Sequence, residues 1–216
     1  MQRVTKEEAE AFRRELSTWR RLAEVHPLMI GVEEKAQLYV VSQGALKVWR
    51  EAFVGMSCAQ LTHAHRFKLG DDPPDFTLDY GDHQRSFEIV TIIPKDWKIT
   101  HEYDGHAANL NAGEPTPLRT LSHAESEAEM EALFPDLEAQ ISAKMAKPYP
   151  QETILVADVL HGIDFSTDVG PMKRVASIAA GGLKVFSEVW VRRGAAIIRV
   201  TKESRSLVSS LYLSVM

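Results

Sequence analysis

PPDFTLDYGDHQRSFEIV, residues 73 to 90, places strand-like residues on both sides of Gly81-Asp82. Thr77 and Leu78 precede that pair, and Phe87, Ile89 and Val90 follow it. A Gly-Asp pair between such runs fits a two-residue hairpin turn with glycine at its positive-φ first position. With Gly81 and Asp82 as the turn, Phe76 faces Phe87, Thr77 faces Ser86, and Asp75 falls opposite Glu88. Directly paired residues of an antiparallel ladder have Cβ atoms roughly 4.5–5.5 Å apart, where like charges repel. A shared proton would relieve that repulsion by raising one pKa. A hard divalent cation with oxygen ligands relieves it more completely, so the pair reads as a magnesium cradle. The ordinary alternative is an amphipathic hairpin. Its solvated face would be Asp75, Thr77, Asp79, Gln84, Ser86 and Glu88, over a core face of Phe76, Leu78, Phe87 and Ile89. Against it, Glu88 runs into IVTII, the near-continuous apolar run of a strand covered on both faces. A charge there is rarely buried without a partner.

The 216 residues and 24.2 kDa suit one substantial core. The chain reads as a single domain over 1–216, with N-terminal helices over 1–61, an α/β core over 62–200 and a C-terminal extension over 201–216. The 44% hydrophobic and 25% charged content is that of an ordinary globular protein. No apolar stretch approaches the roughly 20 residues that cross a bilayer, and no secretory signal precedes the first helix. One cysteine, Cys58, excludes an internal disulfide framework and a zinc knuckle; this suits a reducing cytoplasm and a small buried apolar role. A net charge of -5 argues against a broad cationic surface, so nucleic-acid contact needs a local basic patch.

Thr5 and Glu8 have capping-box spacing, and Phe12, Leu16, Trp19 and Ala23 recur at helical intervals, which predicts a helix over 5–25 ended by His26-Pro27. A second helical stretch runs from near Val32 to about Leu61, with a break near Gly44. AHRFKLG suggests a short strand before the hairpin of residues 74–93. Residues 98–124 read as a long loop, of the kind that is often functional. Residues 126–147 regain helical spacing through Met130, Leu133, Phe134, Leu137, Ile141 and Met145, with a second helix starting at Pro135. TILVADVL, 153–160, reads as a buried strand, and FSEVWVRRGAAIIRV as two strands around Arg193-Gly194. This order predicts an α/β (α+β) fold with a mixed sheet of about four to six strands and flanking helices.

Pro74-Asp75, followed after twelve intervening residues by Glu88-Ile89-Val90, resembles the PD and (D/E)XK elements of the restriction-endonuclease-like nuclease superfamily. The order helix, strands, crossover helix and strand agrees with that core over residues 45–200. Val90 stands where the family most often has lysine. Relatives whose lysine has migrated take it from the following helix, and QISAKMAKPY resembles that segment, with Gln140, Lys144 and Lys147 spaced to share a face. The resemblance implies that Asp75 and Glu88 hold Mg2+ or Mn2+ with the backbone carbonyl of Ile89 or Val90. It implies an acid from the preceding helix, Glu51 ahead of Glu33 or Glu34. It further implies Lys144 facing the scissile phosphate and Gln140 orienting water. A carboxylate-bound metal and a lysine supply what phosphodiester hydrolysis requires. Exposed helix charge is the plain reading of Glu51, and a solvated helix flank that of Lys144 and Lys147. Arg66, Lys68, Lys95, Lys98, Arg119 and Lys147 are candidate phosphate contacts, with ordinary solvated charge as the default for each.

The implied activity is metal-dependent hydrolysis of nucleic acid, DNA foremost, by an endonuclease that acts singly or as a homodimer. The rival is a catalytically inactive module on the same fold that binds nucleic acid or a protein; Val90 is its main support. His63 and His65 lie two apart on a candidate strand, and His101, His106 and His123 fall in the long loop, without the spacing of a zinc hydrolase. There is no GxSxG elbow, and Gly181-Gly182 lacks a following GK[ST].

Overall fold

The computed structural model describes residues 5–36, 47–71, 73–93, 122–160, 169–194, 196–203 and 205–209. These divide into two compact units where the sequence reads as one domain. The first holds residues 5–36, 47–71 and 76–84; the second holds 73–75, 85–93 and the described residues from 122 onward.

In the first unit, α1 (Lys6–Leu16) starts at the expected capping box, where Thr5 and Glu8 exchange side-chain and backbone bonds. It ends nine residues earlier than expected. Ser17 caps it, a two-residue strand β1 (Arg20–Arg21) follows, and α2 (Leu22–Ala36) runs through Pro27. Pro27 forgoes one intrahelical hydrogen bond. Val25 and Met29, four residues apart and both buried, keep the same face turned inward across it. Helix α3 (Lys47–Thr62) lies close on the strands β2 (Arg66–Leu69) and β3 (Phe76–Asp79). A Cβ on Gly55 would sit 2.4 Å from the Phe67 ring and 3.1 Å from that of Phe76. Strands β1, β2 and β3 pair antiparallel, Arg21 with Arg66 and Arg66 with Asp79. The turn after β3 is the one read from the sequence. Gly81 has φ +96°, and the Tyr80 N–H donates to the His83 carbonyl at 3.0 Å.

In the second unit, β4 (Gln84–Ile92, from Arg85 on), β5 (Ile154–Val159) and β6 (Glu188–Arg193) run parallel, linked by α4 (His123–Met145) and α5 (Val169–Ala180). Strands β7 (Ala196–Val200) and β8 (Arg205–Ser209) continue antiparallel. The alternating residues Val90 and Ile92, Leu155, Ala157 and Val159, and Val189 and Val191 turn one sheet face toward the helices. There they pack on Leu133, Leu137 and Ile141 of α4 and on Val175 and Ala179 of α5.

The class is mixed α/β, as expected. The described residues hold eight strands rather than four to six. One addition is β1, whose Arg-Arg pair carries no hydrophobic alternation. Another is β8, within the stretch read as a C-terminal extension. Helix α4 is one helix rather than two: it begins at a capping box between Ser122 and Glu125, and Pro135 lies inside it. The buried stripe Leu133, Leu137 and Ile141 runs past Pro135, so packing outweighs the one bond that the proline forgoes.

Candidate functional site

The side chain of Glu88 alternates onto the same face of β4 as Val90 and Ile92, the face covered by α4. On α4 the stripe through Leu137 and Ile141 continues, three residues on, to Lys144. The lysine is therefore aimed at the sheet, with its side chain 18% exposed. Its ammonium donates to Glu88 Oε1. The hydroxyl of Tyr149 donates to the same oxygen at 3.3 Å. Glu88 is thus a buried carboxylate held by a cation and a neutral donor.

Asp75 meets the same strand through its backbone and its side chain. Its N–H donates to the Phe87 carbonyl at 2.9 Å, and its Oδ2 accepts from the Ile89 N–H at 2.7 Å. The first bond runs to Phe87, next to the Glu88 that was expected opposite Asp75. The second bond sets the Asp75 carboxylate against the peptide that joins Glu88 to Ile89. Within extended backbone the N–H and C=O of one residue point to the same side, so the Ile89 carbonyl leaves the strand on the side of Asp75.

The acids do not belong to a solvated face. Asp75, Thr77, Asp79 and Glu88 are all buried, at 5, 6, 3 and 3% exposure. Asp79 has its own partners within the first unit. The Gly81 N–H and then the Arg66 guanidinium hold its carboxyl below the usual range.

The remaining sequence candidates are placed as follows. Gln140 is exposed, one turn before Lys144. Lys147 is also exposed but lies beyond the end of α4, so the three do not share a helical face as expected. Glu51, in the first unit, is buried at 4%; this overturns its reading as an exposed helix charge. It pairs with Arg13 at 2.9 Å and Lys47 at 3.1 Å, and Arg13 also donates to the Gly70 carbonyl. Arg66 and Lys68, also in the first unit, lie 5.4 and 4.9 Å from the centre of the Trp19 ring. His63 and His65 flank the loop before β2 rather than lying on a strand. Lys95, Lys98, Arg119, His101 and His106 lie outside the described residues, as does most of the 98–124 loop. The side chains of Glu33, Glu34 and His123 likewise fall outside what the structure describes. Among the described residues no group of three or more His, Cys, Asp or Glu is positioned to hold a metal ion. None of their helices is long and apolar enough to cross a membrane.

Sequence reasoning missed Tyr149, which stands between Pro148 and Pro150; two prolines around an aromatic residue were its available signal. It also missed Glu188, which Arg85 and Arg199 clamp and the Trp190 Nε1–H caps at 2.7 Å. Burial pushes the Glu188 pKa up, but the Arg199, Trp190 and Arg85 contacts outweigh it and bring it to about 2. A second ion pair, Asp158 with Arg192, joins β5 to β6 at paired positions, with both partners buried. No family model, no curated protein and no solved structure matches this chain.

Proposed function

We propose that this chain is a metal-dependent nuclease of restriction-endonuclease-like type. In this reading Asp75 and Glu88 hold a magnesium or manganese ion and Lys144 supplies the positive charge beside it. The observation that carries the reading is the meeting of Lys144, from the crossover helix, with a buried Glu88 whose neighbouring peptide is bound by Asp75. Support also comes from the element order: helix α3, strands β2, β3 and β4, helix α4, then β5 parallel to β4. Two carboxylates and a carbonyl suit magnesium, which commonly takes one or two protein carboxylates and fills its shell with water and substrate phosphate. When bound, the ion supplies charge neutralisation at the phosphate and a more acidic water. Lys144 moves its ammonium from Glu88 toward the scissile phosphate, and Gln140, one turn earlier, orients water. Glu51, already paired with Arg13 and Lys47, serves as a tie between α1 and α3.

The test is a titration of magnesium or manganese that follows thermal stability and cleavage of mixed DNA and RNA. The expected result is a metal-dependent rise in stability together with cleavage. Glu88→Gln and Lys144→Met should each lower cleavage by about 100-fold or more, the size expected on losing a charge-stabilising group. A flat response to metal in both measurements overturns the reading. The second reading, an inactive nucleic-acid-binding module, is favoured by buried Val90 at the usual lysine position. It predicts metal-independent binding that survives Glu88→Gln.

A further inference from the structure

We infer that Tyr149 is a positioning residue for Glu88, keeping that carboxylate oriented when Lys144 turns to substrate; the inference rests on the nuclease reading above. Lys144 and Tyr149 donate to the same oxygen, Glu88 Oε1. A cation on that oxygen competes with a metal ion for it, whereas a neutral hydroxyl fixes the carboxylate without opposing positive charge. The two donors are therefore not interchangeable.

The surrounding chain holds Tyr149 in place. Helix α4 ends at Met145, and the Lys147 N–H donates back to the Lys144 carbonyl at 3.0 Å. Pro148 has a fixed φ, and Pro150 restricts Tyr149 itself to extended backbone. The Pro150 carbonyl then accepts from both the N–H and the hydroxyl of Thr153, just before β5. The Tyr149 ring rests against Phe186, with centroids 5.0 Å apart and planes tilted by 46°. Ring packing and backbone restriction thus hold the hydroxyl in place independently of its bond to Glu88.

Tyr149→Phe removes the hydroxyl and keeps the ring on Phe186. The measurement is the thermal shift of the full-length protein against manganese concentration, for wild type, Tyr149→Phe and Tyr149→Ala, with circular dichroism to verify folding. The expected result for Tyr149→Phe is a half-saturating manganese concentration raised about tenfold, the size of one hydrogen bond to a charged group. Its metal-free melting temperature should change little, because Lys144 still holds Glu88. Tyr149→Ala should show a similar metal shift and, in addition, a lower metal-free melting temperature. An unchanged manganese dependence in Tyr149→Phe, with wild type responding, reduces Tyr149 to a packing residue and overturns the inference alone. A wild type that does not respond to manganese overturns the nuclease reading and this inference with it.

Discussion

Glu188 is the residue whose charge state most directly sets a measurable property. Its carboxylate takes bonds from Arg85 on β4, from Arg199 on β7 and from the indole of Trp190 on its own strand, so one anion ties three strands. Its pKa of about 2 lies below the ordinary 4.5. The folded state therefore binds this proton more weakly than the unfolded chain does. The stabilisation is complete above about pH 4.5 and is lost as pH falls toward 2. Arg199 is 36% exposed, which screens the interaction and leaves it on the order of 2 kcal/mol. Chemical denaturation between pH 7 and pH 3 should show a falling stability, and Glu188→Gln should flatten that fall while lowering stability at pH 7. An acid limb as steep in Glu188→Gln as in wild type would assign the titration to other carboxylates. Nothing in EVWVRR marks this acid beforehand, because its charged partners come from positions 85 and 199, and only pairing across the sheet brings them together.

At the scale of elements, α3 on β2 and β3 depends on Gly55 having no side chain. The two phenylalanine rings that a Cβ would strike, Phe67 and Phe76, are fully buried. Gly55→Ala should therefore cost about 1–3 kcal/mol despite alanine's better helix propensity, and larger residues should cost more. Thermal or urea unfolding reads the sign directly. A neutral or stabilising Gly55→Ala would mean that the helix can move off the strands at no cost. The elements themselves were largely legible: the capping box of α1, the turn at Gly81, the buried run of β5 and the hairpin at Gly194 follow from local residue chemistry. What was not legible depended on nonlocal packing. Pro27 and Pro135 read as stops, yet the buried residues on either side of each carry the helix through. The bond from the Ile89 N–H to the Asp75 carboxylate was likewise not legible, because alternation places side chains on faces and does not show side-chain bonds to a neighbouring backbone. The contact of Lys144 with Glu88 was legible as the continuation of the Leu137–Ile141 stripe, which says why its amine reaches the sheet.

For the whole molecule the governing quantity is charge. With 25 basic against 30 acidic residues and a net charge of -5, long-range attraction to a polyanion is weak or absent. Several of the described basic residues are engaged: Arg66 with Asp79, Arg85 and Arg199 with Glu188, Arg174 with Glu131, Arg192 with Asp158 and Lys144 with Glu88. On the nuclease reading proposed above, phosphates would be contacted through few cations, with a bound metal ion supplying the rest of the positive charge. Binding of a short duplex to Glu88→Gln, which should not cleave, should therefore weaken only modestly with salt. A slope of log K against log salt of about -2 to -3 corresponds to two or three neutralised phosphates. Fluorescence anisotropy at several salt concentrations measures it. A slope steeper than about -6 would require a cationic surface that this composition and these ion pairs do not provide, and would move substrate contact away from the Asp75–Glu88–Lys144 centre.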